Sequence, residues 1–196
     1  ALCAAADPWP HPLTPPAFSA GPALPVPGQA RVVSEGHPPD DLDRSDLWLI
    51  DLASGRAQHL CGAPGRRDHS PAAHPAGRGV AYVSVRADWD QLCLVELDGS
   101  GERALTAEAA DFSEPAWRPD GKAVAAVRTR AGRADLVLVD AVAGGVTLLA
   151  SGGVWSRPQW VEGGALAAVH EDHRTPPHLV RGEPGIGKSR LVWELR

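Results

Sequence analysis

The sequence predicts an all-β chain built from repeated four-stranded antiparallel units. Three observations carry this: a pattern recurring about every 44 residues, apolar alternation of period two, and glycine-bearing turns at matching places in each copy. The first signature is a proline, a short link, a turn and an apolar strand. It reads Ser70-Pro71 leading to Gly79-Val80-Ala81-Tyr82-Val83, then Glu114-Pro115-Ala116-Trp117 leading to Ala123-Val124-Ala125-Ala126-Val127. It returns as Arg157-Pro158-Gln159-Trp160 leading to Ala165-Leu166-Ala167-Ala168-Val169. Pro71 and Pro115 stand 44 residues apart, and Pro115 and Pro158 stand 43 apart.

The second signature is an alternating strand followed by a tight turn. It reads Asp46-Leu47-Trp48-Leu49-Ile50-Asp51, Gln91-Leu92-Cys93-Leu94-Val95-Glu96 and Asp135-Leu136-Val137-Leu138-Val139-Asp140. Ser54-Gly55, Asp98-Gly99 and Gly144-Gly145 follow, and short strands then end in Leu60, Leu105 and Leu149. Glycine accepts the positive φ that such hairpins need. A weaker first copy runs from Pro22 and Gly28 into Ala30-Arg31-Val32-Val33.

This period, with four short strands per copy, is that of one β-propeller blade. The expectation is a partial β-propeller of about three to four blades over residues 18–180. Blade two falls near 69–106, blade three near 113–150, and blade four stops after two strands near Val169. Trp117 and Trp160, at one repeat position, are expected to pack between blades. Residues 1–17 carry Pro8, Pro10, Pro12, Pro15 and Pro16 and read as an extended, poorly ordered leader.

Composition narrows the function classes. The 196 residues are 43% hydrophobic and 22% charged, the balance of a soluble globular chain. A net charge of -5 argues against a nucleic-acid partner and an anionic membrane surface, which call for basic patches. No apolar run approaches the ~20 residues of a membrane span, and the opening Ala-Leu-Cys-Ala-Ala-Ala lacks the regions of a signal peptide. Cys3, Cys61 and Cys93 fit neither a disulfide framework nor a zinc clamp, so a cytoplasmic location is expected, with Cys93 a small buried hydrophobe. The absence of methionine, even at position 1, points to a processed chain or a piece of a longer reading frame.

Pro115-Ala116-Trp117-Arg118-Pro119-Asp120-Gly121-Lys122 resembles the repeat of TolB-like and WD40-like propellers. With the strand Asp46–Leu52, the spacing resembles more closely the N-terminal propeller of prolyl oligopeptidase-family (S9) serine peptidases, such as acylaminoacyl and dipeptidyl peptidases. The resemblance covers about residues 18–180. It implies a propeller that caps an α/β-hydrolase domain and filters access to a Ser-Asp-His triad. That makes a hydrolase domain or a peptide substrate the expected partner. The chain has no Gly-x-Ser-x-Gly nucleophile elbow, so no catalytic residue is assigned to it. Family propellers have seven or eight blades; an unclosed stack leaves faces and edges that invite self-association.

Two polar clusters are candidate sites with plainer readings beside them. Glu35 to Asp46, with Asp40, Asp41 and Asp43, reads as a solvated hairpin loop, or as a substrate-facing one. His170-Glu171-Asp172-His173, with His178 nearby, offers metal-ligand types, but its spacing matches no zinc signature and a loop is the expected outcome.

The last segment is different. Residues 182–189, Gly-Glu-Pro-Gly-Ile-Gly-Lys-Ser, form a Gly-x4-Gly-Lys-Ser phosphate loop and resemble the Walker A region of AAA and LuxR-type regulatory ATPases. The resemblance implies phosphate binding by Gly182, Gly185, Gly187, Lys188 and Ser189, with ATP and Mg²⁺ the only implied cofactors. A short helix would start at Lys188. Only Leu179 and Val180 are apolar just before the loop, too few for a core strand, and no Walker B carboxylate follows. A junction between unrelated coding segments accounts for this tail. The alternatives are therefore a peptidase-derived propeller portion, a fragment of a P-loop regulator, and a stand-alone interaction propeller.

Overall fold

The computed structural model describes Leu13, residues 19–41 and residues 43–182. Fifteen strands form four consecutive antiparallel units, with no α-helix among the described residues. Blade 1 contains β1 (Ser19–Pro25), β2 (Arg31–His37), β3 (Asp46–Asp51) and β4 (Ala57–Cys61). Blade 2 contains β5 (Asp68–Ala73), β6 (Gly79–Arg86), β7 (Trp89–Glu96) and β8 (Arg103–Ala104). Blade 3 contains β9 (Asp111–Trp117), β10 (Ala123–Arg130), β11 (Arg133–Asp140) and β12 (Val146–Ala150). Blade 4 contains β13 (Val154–Trp160), β14 (Leu166–Glu171) and β15 (His178–Gly182). Within each blade every strand pairs with the one before it.

The expected partial propeller is thus observed, with two corrections. Blade 4 does not stop after two strands, because residues 178–182 pair along β14 from Leu166↔Gly182 to His170↔His178. Two apolar residues suffice because only the face carrying Val180 meets the core; Leu179 points away from it. In blade 2, β8 has only two residues and ends before Leu105. Beyond it the Leu105 N–H still donates to the Leu92 carbonyl at 2.7 Å, and Thr106 Oγ1 accepts from the Leu92 N–H at 3.0 Å. The leader expected over 1–17 lies outside the described residues except for Leu13, as does the helix expected from Lys188.

Alternation decides which face of a blade meets which neighbour. Val33, Leu47, Leu49 and Leu60 pack against Val80, Tyr82, Cys93 and Val95 between blades 1 and 2. Ala81, Leu92 and Leu105 meet Phe112, Val124, Val137 and Val139 between blades 2 and 3. Ala125, Leu136 and Ala150 meet Trp155, Leu166, Ala168 and Val180 between blades 3 and 4. The core is therefore three thin layers between sheets rather than one central mass.

The tryptophans bind these layers as expected. Trp117 Nε1 donates to the Ala72 carbonyl at 2.9 Å, and Trp160 Nε1 donates to the Ala116 carbonyl at 3.0 Å, each reaching the preceding blade. Single parallel bridges Ser45↔Arg67 and Ala134↔Val154 join blade 1 to 2 and blade 3 to 4. The turn glycines have a second duty beyond positive φ. A Cβ on Gly144 would lie 2.4 Å from the Leu105 carbonyl oxygen, so the β11–β12 turn docks directly on the previous blade.

Candidate functional site: the inner strands and a cleft on blade 2

The first strand of each blade carries a bulge at the X-Pro pair. Register slips between His69 and Ala72 in β5, opposite Ala125 and Val127 in β9, and between Ser156 and Gln159 in β13. Ser70, Glu114 and Arg157 sit at these bulges with φ of 52°, 53° and 53°. A left-handed non-glycine residue costs on the order of 1 kcal/mol, so each needs local compensation. Two carboxylates supply it from the preceding blade. Glu35 Oε1 accepts from the Ser70 N–H at 2.6 Å, and Glu114 Oε2 accepts from the Arg157 N–H at 2.5 Å.

These bulges gather titratable groups on the inner edge. Ser70 Oγ lies 3.0 Å from His69 Nδ1, and His69 Nε2 lies 3.9 Å from Asp90 Oδ1. Asp111 Oδ1 accepts from the Asp90 N–H at 3.0 Å. The Ser70, His69, Asp90 series has the composition of a hydrolytic triad but not its geometry. A 3.9 Å separation is beyond a hydrogen bond. The Ser70 N–H, the nearest oxyanion donor, is already bonded to Glu35. Strain at Ser70 recurs at Glu114 and Arg157, so it belongs to the blade and not to a nucleophile.

A cleft of about 380 Å³ opens on blade 2, where β8 leaves β7 early. Trp89 lies along it, 39% exposed, with Arg86 and Glu108 as polar groups and Ala104, Ala107 and Ala109 as apolar lining. Gln91 and Thr106 complete its polar lining.

The acidic stretch 35–46 departs from the expected solvated loop at both ends. Glu35 belongs to β2 and serves the blade 2 bulge. Asp46, the first residue of β3, is buried; Arg44 donates to both its oxygens at 2.8 and 2.6 Å, and His59 Nε2 lies 3.0 Å away. Burial alone would raise the Asp46 carboxyl, but bonds from Arg44 and His59 outweigh it and hold the group below its ordinary value. Asp40, Asp41 and Asp43 remain in the connecting turn.

A second buried ion cluster has no counterpart among the expected sites. Asp68 accepts from Arg66 at 2.7 Å and from Ser84 Oγ at 2.5 Å, while Arg66 also reaches Glu102 at 2.9 Å. Glu102 in turn accepts from Tyr82 Oη at 3.0 Å and Arg86 at 2.6 Å. The one sequence signal was an arginine two residues before a strand-opening aspartate, in Arg44-Ser45-Asp46 and Arg66-Arg67-Asp68. Beside this cluster Cys61 and Cys93 are free and buried. Burial pushes the Cys93 thiol up to about 11 and the Cys61 thiol higher still, which makes both poor nucleophiles.

The histidine cluster is distributed over two strands and a turn. His170 and Glu171 end β14, His178 starts β15, and Asp172 caps the turn between them. Asp172 accepts from the Thr175 hydroxyl at 2.6 Å and from the Arg174 and Thr175 N–H groups, which lower it to about 2. His170 Nε2 is 2.9 Å from the Gly152 carbonyl, and His178 Nδ1 is 3.0 Å from the Pro176 carbonyl. Among the described residues, no group of three or more His, Cys, Asp or Glu is arranged to hold a metal ion. Of the phosphate-loop residues only Gly182 is described: it is the buried last residue of β15, opposite Leu166. Gly185, Gly187, Lys188 and Ser189 lie outside the described residues. No described helix is long and apolar enough to cross a membrane.

No protein-family model matches the chain, and no curated protein matches it by sequence. Solved structures do match its fold. A puromycin-hydrolyzing peptidase of Mycobacterium tuberculosis is 16% identical with a TM-score of 0.76, over 93% of this chain and 29% of that one. TolB of Acinetobacter baumannii is 18% identical with a TM-score of 0.65, over 79% of this chain and 38% of that one. One of two prolyl endopeptidases studied for inter-domain dynamics is 15% identical with a TM-score of 0.68, over 91% of this chain and 30% of that one. The chain thus spans less than two fifths of the length of these proteins. What four successive sheets with the same bulge and the same inter-blade packing share with these structures is a fold, that of the TolB-like β-propeller.

Proposed function

We propose that the chain is the non-catalytic propeller portion of a prolyl oligopeptidase-like serine peptidase, acting as a binding and gating module. The observation that carries this reading is the blade geometry, repeated from blade to blade and shared with two peptidases over more than nine tenths of this chain. Its inner-strand polar groups bond to backbone and hold bulges, a role of shape and not of turnover. Peptide contact falls to the cleft beside Trp89, where an exposed indole meets a side chain while Arg86 and Glu108 meet polar backbone. Free, buried thiols accord with the cytoplasm as its location.

The test pairs the full chain with a separately produced α/β-hydrolase domain of a prolyl oligopeptidase-type peptidase. The chain alone should not hydrolyse a chromogenic peptide. Added to the hydrolase domain, it should suppress turnover of long peptides more than short ones. Equal turnover with and without the chain would sink the reading. The alternative, a piece of a P-loop ATP-binding regulator, draws on residues 182–189 alone; nucleotide retention that disappears in Lys188→Ala would favour it.

A further inference from the structure

A second cleft, of about 230 Å³, opens where the β5–β6 turn of blade 2 meets the β9–β10 and β11–β12 turns of blade 3. It shares no lining residue with the cleft beside Trp89. Strand pairing brings three charged side chains to it. Arg103 stands opposite Leu94 on β7, two residues from Glu96, and Glu96 pairs with Gly79, the residue after Arg78. Leu94 and Trp117, half-buried against the layer between blades 2 and 3, form an apolar wall. Val142, 83% exposed, stands at the rim.

Both guanidiniums are short of acceptors. Neither Arg78 nor Arg103 has an ion-pair partner among the described residues. Arg103 Nη2 donates to the Ala141 carbonyl of blade 3, which fixes the side chain across the cleft. Arg78 Nη2 lies 3.4 Å from His74 Nε2. The Ala76 N–H donates to His74 Nδ1 at 3.0 Å, so the neutral ring carries its hydrogen on Nε2. Arg78 thus faces a donor where it needs an acceptor. His74 itself is 7% exposed, and burial together with the Arg78 charge lowers its affinity for a second proton.

We propose that this cleft between blades 2 and 3 binds a monocarboxylate with an apolar body, held by Arg78 and Arg103. Guanidinium groups match the two oxygens of a carboxylate with paired N–H donors. The lining holds these two cations and the Glu96 carboxylate, with His74 neutral. One unit of positive charge remains, which suits a monoanion and disfavours a phosphate dianion. Leu94, Trp117 and Val142 take the apolar remainder of the ligand. A free organic acid and the C-terminus of a peptide both carry this chemistry. The site lies between two complete blades and needs no peptidase domain.

The test is titration calorimetry of the full chain at about pH 8, where His74 is neutral. Phenylacetate should bind with a Kd on the order of 1 mM. Phenylacetamide, which lacks the charge, should give no saturable heat, and inorganic phosphate should bind at least about tenfold more weakly than the acid. Arg78→Gln and Arg103→Gln should each weaken phenylacetate about tenfold or more, whereas Arg130→Gln, outside the cleft, should leave it unchanged. Arg78 is exposed, so Arg78→Gln should melt as the native chain does and its effect reads the site alone. A short acetylated peptide ending in phenylalanine separates the two sources. Saturation by the peptide, lost when its end is amidated, assigns a peptide C-terminus; saturation by phenylacetate alone assigns a free acid. No saturable heat with either up to about 20 mM overturns the proposal. So does equal binding of the amide or of phosphate, or an Arg78→Gln chain that binds like the native one.

Discussion

Trp160 in blade 4 donates its indole N–H to the carbonyl oxygen of Ala116 in blade 3 at 3.0 Å. One blade earlier Trp117 does the same to Ala72, with the His74 ring packed edge-on at 4.7 Å. Each indole packs against an apolar layer and ties it to a backbone carbonyl in the first strand of the preceding blade. Trp117→Phe should keep most of the packing and lose the bond, at about 1 kcal/mol by denaturant unfolding. Trp160→Phe should cost about the same. No change in either would reduce the tryptophans to filler.

Asp68 presents a harsher case, because it is fully buried and two side chains bond to it. Asp68→Ala leaves the Ser84 hydroxyl without its acceptor and takes from Arg66 one of its two carboxylates, Glu102 remaining, so the cost should fall near the low end of the about 3–5 kcal/mol for a broken buried pair. Arg118→Ala, which breaks the surface pair with Asp120, should cost about 0–1 kcal/mol. Similar midpoint shifts for both in urea would refute the burial argument.

Gly144 and Gly145 are neighbours in one turn with opposite expectations. Gly144 has φ +71° and its Cβ would strike the Leu105 carbonyl, whereas a Cβ on Gly145 meets nothing within 4 Å. Gly144→Ala should therefore destabilise by about 2–4 kcal/mol, and Gly145→Ala by less than about 0.5. Thermal melts of the two proteins decide it.

His74 sets a pH dependence. Burial, aided by the nearby Arg78 charge, lowers its affinity for a proton below the ordinary 6.5. The unfolded chain binds that proton first as pH falls, so the stability His74 contributes is complete above about 6.5 and is lost on acidification through the folded value. Folding free energy measured from pH 8 to 5 should decline through this window. The decline should flatten in His74→Gln, and an equal slope in both proteins would assign it elsewhere.

The repeat was legible because strand alternation and turn glycines are local. Leu47, Leu92 and Leu136 announce themselves by spacing, and Trp117 and Trp160 do so by recurrence. The phosphate loop was legible as a motif, yet the structure reaches only its first glycine, in a strand antiparallel to β14. β15 was not legible. A strand whose second face has no neighbour among the described residues needs apolar residues on one side only, and His178-Leu179-Val180-Arg181-Gly182 falls below any periodicity signal.

The sequence by itself determined the all-β class, the blade period, the inter-blade place of the tryptophans and the lack of a nucleophile elbow. All of these depend on residue type and spacing along the chain. Tertiary structure alone decided that Asp46 and Asp68 are buried and paired, that Glu35 and Glu114 hold the bulge of the next blade, and that Leu179 is exposed. A charge is tolerable inside, or an apolar side chain outside, only according to what another segment brings against it. For Asp68, Glu35 and Glu114 that segment lies tens of residues away in sequence or on a neighbouring blade.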